Sequence, residues 1–185
     1  MRVFIALNVP EEIKEQALQV KEELAQFKPD IKWVEHENYH ITLKFLGEVN
    51  SQLDLIKTKL GQAAQACPTF KLINSEIGFF PGRSRPRIIW MGVKGEMEKA
   101  YFLGERVDTY LSELGFETER KRSFHLTLGR IRSEREIDKV LVQTGIINPR
   151  LKKYSFAISE FTLMESRLSS AGPEYSVLEK YKLEG

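Results

Sequence analysis

The sequence predicts an α+β fold, bilobal and duplicated: two antiparallel-rich sheets, flanked by helices, around a central cleft. Three observations predict it. The run His40-Ile41-Thr42-Leu43 recurs as His125-Leu126-Thr127-Leu128. The order strand, helix, short strand, motif strand, helix, strand occurs twice. The step from first strand to motif is also nearly equal, 35 positions from Ile5 to His40 and 36 from Ile89 to His125. An internal duplication explains all three. It gives one domain over residues 1–185, with repeat units at about 1–80 and 86–165 and a C-terminal strand at 175–183. Mixed α/β chains also repeat such units without symmetry, so the doubled motif carries more weight than the element order.

The elements follow from local pattern. Val3–Leu7 is a short apolar strand. Pro10 starts a helix, with Glu11 and Glu12 favourable in its first turn and Ile13, Ala17, Val20, Leu24 and Phe27 as a buried stripe. Ile31–Glu35 is a short strand, and His40–Leu46 the first motif strand, closed by Gly47. Ser51 caps a helix whose stripe is Leu53, Ile56, Leu60, Ala63 and Cys67. Phe70–Phe79 is a strand, and 81–86 a loop. The pattern then restarts: a strand at Arg87–Val93, a helix over 95–114 ended by Gly115, and a short strand at Phe116–Glu119. The second motif strand is Phe124–Arg130. Ser133 and Glu136 form a capping box for a helix that Gly145 stops. Strands at Tyr154–Met164 and Tyr175–Leu183 complete the chain.

Composition narrows the function. The 28 basic and 26 acidic residues leave a net charge of +2, so the chain is not a bulk polyanion binder, although local basic clusters remain available. Cys67 is the only cysteine, which excludes an intrachain disulfide and a cysteine-rich zinc site. No leader or membrane-spanning run is visible, so a reduced cytoplasm is the expected setting; a monomer is expected as well.

The motif itself points to chemistry. Side chains alternate along a strand, so His and Thr two apart share a face, about 6.5–7 Å from each other. Ile41, Leu43, Phe45, Leu126 and Leu128 then face the core. Two imidazoles across a cleft suit a reaction that needs one base and one acid near neutral pH. Two Thr hydroxyls can donate to the non-bridging oxygens of an anion between them. A phosphodiester offers those parts: two charged oxygens, an in-line nucleophile and a leaving alkoxide.

The runs His40-Ile41-Thr42-Leu43-Lys44-Phe45-Leu46-Gly47 and His125-Leu126-Thr127-Leu128-Gly129-Arg130 resemble the paired H-x-T-x motifs of the two-histidine phosphoesterases. Among these the likeness is to the RNA 2′,3′-cyclic phosphodiesterases, also called 2′–5′ RNA ligases. Arg85-Pro86-Arg87-Ile88-Ile89-Trp90 and Gly172-Pro173-Glu174-Tyr175 add to it, while Phe124 stands where the family often has Pro. The resemblance implies metal-independent opening of a terminal 2′,3′-cyclic phosphate to a 2′-phosphate, with no cofactor and with reverse ligation open. It implies His40 as proton donor and His125 as proton acceptor, with Thr42 and Thr127 on the phosphate. It also implies a phosphate-binding role for Arg130. Strict alternation would put Arg130 on the Leu126–Leu128 face, unless Gly129 relaxes the strand.

Other candidate ligands are weaker. Lys44 is expected on the face of His40 and Thr42. Arg83, Arg85 and Arg87, beside Phe79 and Phe80, could hold an RNA end by stacking and charge, as could Arg120, Lys121 and Arg122. Arg150, Lys152 and Lys153 form a third cluster. His36-Glu37-Asn38-Tyr39-His40 matches the zinc-peptidase pattern H-E-x-x-H, but that pattern works on a helix and its flanks here read as strand. The substrate stays open between RNA ends and small nucleotides bearing a 2′,3′-cyclic phosphate. A non-catalytic RNA- or nucleotide-binding module is the remaining alternative.

Overall fold

The computed structural model describes residues 1–185. Its elements are β1 (Arg2–Leu7), α1 (Glu11–Ala25), β2 (Ile31–Trp33), β3 (Ile41–Glu48), α2 (Leu53–Ala64), β4 (Phe70–Phe80), β5 (Ile88–Gly95), α3 (Met97–Ser112), β6 (His125–Ile131), α4 (Ile137–Arg150), β7 (Ser155–Ile158), β8 (Glu160–Ser169) and β9 (Gly172–Lys182). This is the α+β fold expected. No helix is long and apolar enough to cross a membrane.

The strands run in the order β7-β4-β5-β6-β3-β1-β8-β9, with β2 added to β6, and every pairing is antiparallel. The order is a palindrome about the β6–β3 contact. There a single pair, Ile41 with Leu126, joins the two expected sheets into one ladder. The helices obey the same exchange: α1 packs with α4, and α2 with α3. The repeat units are therefore not the two halves of the sheet. β4, from the first repeat, lies beside β5, and β8, from the second, lies beside β1. Each repeat lends its last strand to the other, which corrects the reading of each lobe as one stretch of chain.

The register repeats with equal fidelity. In the first half Thr42 pairs with Ala6, Lys44 with Ile5 and Phe45 with Phe4. In the second, Thr127 pairs with Trp90, Gly129 with Ile89 and Arg130 with Ile88. In both, one residue is skipped directly after the Thr, so Leu43 and Leu128 are β-bulges. A bulge adds one residue to one strand and reverses the alternation beyond it.

Burial holds these elements together. Ile13, Ala17, Val20 and Leu24 of α1, and Ile56, Leu60 and Ala63 of α2, join strand residues Ile5, Leu7, Ile41, Leu126 and Leu128 in one core. Local signals were less reliable. Residues 116–119 form no strand, and Gln52, not Ser51, precedes α2. Ser133 accepts from the Arg135 amide at 3.4 Å rather than capping α4. α4 runs through Gly145 to Arg150, because Val140, Thr144 and Ile147 keep burying one stripe. That packing outweighs a cost of about 1 kcal/mol for glycine within a helix.

Candidate active site

The β6–β3 contact places the four motif side chains. Ile41 and Leu126 point into the core, and their antiparallel register sets His40 across from Thr127 and Thr42 across from His125 on the other face. All four are partly exposed there.

His40 is firmly held. Its Nδ1 lies 2.7 Å from the Asn38 carbonyl, which can only accept, so Nδ1 carries a hydrogen. Asn38 is buried and donates its amide to the Pro173 carbonyl at 3.1 Å. Nε2 lies 2.9 Å from Thr42 Oγ1, accepting from the hydroxyl when the ring is neutral and donating to it when the ring is charged. Phe4 and Tyr175 pack on the ring, with centroids at 5.0 and 5.5 Å. Burial pushes the His40 pKa below its ordinary value; the Asn38 carbonyl opposes this, and the charge of Lys14 adds to it.

His125 has a looser setting of the same plan. Ser123 Oγ lies 3.4 Å from Nδ1. Phe80 meets the ring edge-on at 4.9 Å and also packs on Trp90 at 4.9 Å. The indole lies across Gly78, where any Cβ would collide with it at 2.3 Å, and close to Gly92, where a Cβ would meet Ser75 Oγ at 2.6 Å and the indole at 3.1 Å. Burial lowers the His125 pKa, the Ser123 backbone opposes, and the charge of His40 lowers it further. The last effect agrees with the register, which sets both rings on one face of the sheet. A cavity of about 280 Å³ opens beside His125, lined by Phe80, Trp90, Tyr101 and Ser123 among others.

The remaining sequence candidates divide. Phe80 lies in the site. Arg130 is exposed, has no ion pair, and stands on the His–Thr face because the Leu128 bulge reverses the alternation. Lys44 does not stand there, which is a correction. The equivalent bulge at Leu43 turns it inward, where it is 3% exposed and bonds Asp108 at 2.7 Å. The same bulge turns Phe45 outward, to 73% exposure, instead of into the core. Arg85 is exposed and lines a separate cavity of about 370 Å³ with Arg83, Arg87, Ser133 and Glu134, none of which is a motif residue. Arg122 is buried against Asp108 rather than free for RNA, while Arg120 and Lys121 are exposed. In the third cluster Arg150 pairs with Glu23 and Lys153 donates to the Ser75 carbonyl.

His36 and His40 do not form a helical metal pair. Residues His36–Asn38 make one 3₁₀ turn and Tyr39 is extended. His36 instead bonds Glu11 at 2.7 Å, and with Glu15 these ligand atoms lie within 4.8 Å of one another on the exposed side of α1. Sequence reasoning missed Phe4, Asn38 and Ser123, placed Phe45 in the core, and gave Trp90 no place in the site. The polar residue two places before each His, Asn38 and Ser123, was a readable signal.

A cleft with two histidine–threonine pairs related by a pseudo-twofold axis defines a two-histidine phosphoesterase. The LigT-like phosphoesterase family model matches residues 7–90 and 93–175, so each match holds one motif, and the chain belongs to that family. Among curated relatives, the RNA 2′,3′-cyclic phosphodiesterase of Thermotoga maritima is 33% identical over 186 residues, covering 100% of this chain and 97% of its own. A structure from Thermus thermophilus superposes with a TM-score of 0.80 at 26% identity, covering 100% and 99% of the two chains. Escherichia coli LigT complexed with 3′-AMP gives 0.75 at 25% identity, covering 100% and 98%.

Proposed function

We propose that the chain hydrolyses terminal 2′,3′-cyclic phosphates of RNA to 2′-phosphomonoesters, as a monomeric single domain with no cofactor. The observation that supports this most is the pair of imidazoles on one face, each with Nδ1 engaged by the residue two places before it, and with His40 Nε2 on the Thr42 hydroxyl of its own motif. In the reaction, water attacks phosphorus opposite the 3′-oxygen and gives a proton to Nε2 of neutral His125. The P–O3′ bond breaks, and the 3′-oxygen takes a proton from Nε2 of protonated His40. Thr42 and Thr127 donate to the non-bridging oxygens, and Arg130 adds charge at the rim. A 5′-hydroxyl in place of water runs the same steps as 2′–5′ ligation.

The two histidines supply both proton transfers, so no Lewis acid is needed for either. The name of the Thermotoga relative and the 3′-AMP bound by the Escherichia coli relative support the substrate class. Phe45 and Phe80, on opposite walls, suit stacking of a terminal base. The test is incubation with an oligonucleotide ending in a 2′,3′-cyclic phosphate, and with adenosine 2′,3′-cyclic phosphate, before and after exhaustive chelation. A 2′-phosphate product in both conditions is expected. A 3′-phosphate product, or activity lost on chelation and restored by zinc, contradicts the proposal.

A further inference from the structure

One buried charge cluster ties the first motif strand to the segment that leads into the second, and of its members Arg122 also borders the cavity beside His125. Asp108, on α3, is 5% exposed. Its Oδ1 accepts from Lys44 Nζ at 2.7 Å, and its Oδ2 from the Arg122 guanidinium at 2.6 Å and the Glu119 amide at 3.0 Å. Lys44 also donates to the Glu117 carbonyl at 2.6 Å. Arg122 donates to the Leu43 carbonyl as well, which belongs to the bulge that follows Thr42. It reaches that carbonyl by lying flat over Gly104 of α3, where any Cβ would collide with it.

The cluster therefore has two ends. One is β3 just past His40 and Thr42. The other is the irregular segment 117–122, which has no ladder of its own and leads through Ser123 into His125. That segment is fastened at Glu117, Glu119 and Arg122, all to Asp108 or its Lys44 partner. Direct pairing of the two motif strands amounts to Ile41 with Leu126 alone. A one-pair ladder constrains orientation weakly; β2 adds three pairs to β6 along residues 129–131, and Val34 donates to the Leu128 carbonyl, but the approach to His125 through 117–123 has no ladder and is tied to β3 by the Asp108 cluster.

We infer that Asp108, with Lys44 and Arg122 as its arms, is a positioning residue that sets His125 against His40. It is not a catalytic residue, since it touches neither imidazole. The carboxylate is ionised: burial alone would raise its pKa, but the Lys44 bond, the Glu119 amide and Arg122 more than offset this and hold it below the usual range. The second repeat has Gly129 where the first has Lys44, so the tie exists on one side only.

The inference rests on the proposed hydrolysis for its kinetic readout, and carries one readout that does not. Asp108→Asn leaves two buried cations short of a partner and lowers the melting temperature; adding Lys44→Met removes one of them and recovers part of it. With adenosine 2′,3′-cyclic phosphate as substrate, kcat falls by about 10- to 100-fold in both variants, because misplacement of about 1 Å costs that much, and KM changes little. Recovery of kcat together with melting temperature would show a role in stability only and overturn the inference. Arg122→Lys, which keeps the charge but cannot span Asp108 and Leu43, serves if Asp108→Asn fails to fold; the same loss of kcat is expected, and a normal kcat overturns it. Independently of turnover, NMR titration of His125 should show its pKa rise when His40→Gln removes the neighbouring charge. With Asp108→Asn or Arg122→Lys also present, the rise should shrink. An equal rise in all backgrounds contradicts the inference, whereas an inactive wild type with the expected titrations contradicts the proposed hydrolysis instead.

Discussion

The two motif strands share one backbone plan and differ in what they hold. β3 and β6 each run His-x-Thr and then a bulge, with the same partner register. After the bulge, β3 continues with Lys44 inward and Phe45 outward, whereas β6 continues with Gly129 inward and Arg130 outward. One wall of the cleft is thus apolar and the other cationic. The imidazoles differ in the same sense. His40 is clamped by the Asn38 carbonyl, Thr42, Phe4 and Tyr175, while His125 has a 3.4 Å contact with Ser123 and an aromatic edge. In the proposed hydrolysis, duplication would supply symmetric placement around a phosphate, while the reaction would need an acid on one side and a base on the other. The differences fall where that asymmetry is needed.

The largest expected effects remove the symmetric part. His40→Ala and His125→Ala should each reduce kcat by about 10²–10⁴-fold, the usual worth of a positioned proton transfer. His36→Ala, outside the cleft, should keep full activity, and steady-state kinetics on the three proteins checks this. Thr42→Val and Thr127→Val come next, at about 10²-fold each if the hydroxyls act as oxyanion donors. The two Thr should then part company in the pH profile. Thr42→Val also removes a bond to His40 Nε2, so its profile should shift while that of Thr127→Val should not.

Smaller changes test the walls. Arg130→Met should raise KM, and by more at low salt, because an exposed cation acts through screened attraction. Phe45→Ala should raise KM equally at all salt concentrations. Equal salt dependence for both would erase the distinction between the walls. Gly129→Ala probes the second bulge, since its Cβ would meet Ile31 Cγ2 at 2.6 Å and the Lys32 carbonyl at 3.1 Å. Overpacking of this kind costs about 1–3 kcal/mol, readable as a lower denaturant midpoint.

The mildest effect is on stability against pH. Burial lowers both imidazole pKa values in the folded chain. The unfolded chain then binds more protons between those lowered values and the ordinary value of about 6.5. Stability is full above pH ~6.5 and falls as pH drops through that window. His40→Gln and His125→Gln should each flatten the fall, and an unchanged slope in both would mean that neither ring is desolvated. For the same reason the bell-shaped profile of kcat/KM should centre on the acid side of pH ~6.5, with limbs that belong to the pair.

Much of this was legible in the sequence, for a physical reason. Period-two alternation puts His and Thr on one face, and a period of about 3.6 marks the stripe of α1, because both follow from local backbone geometry. The bulges were not legible, since a bulge is fixed by the strand across from it. Strict alternation therefore put Lys44 in the cleft and Phe45 in the core, the reverse of the structure. Arg130 came closer, because Gly129 hinted at a relaxed strand. The exchange of β4 and β8 between halves was likewise hidden, since no local pattern records which sheet a strand joins. Charge runs misled where partners were distant: Arg122 reads as part of a basic cluster until Asp108 is seen beneath it.

The central claim is that two equivalent histidines perform opposite proton transfers on one phosphate. Replacing the 3′-oxygen of the cyclic phosphate by sulfur tests it most directly. A thiol, with a pKa of about 8.5, leaves as the thiolate and needs no acid. The account predicts that this substrate restores most of the rate lost in His40→Ala and none of that lost in His125→Ala. Rescue of His125→Ala instead would reverse the assignment, and rescue of neither would contradict general acid–base catalysis by the pair.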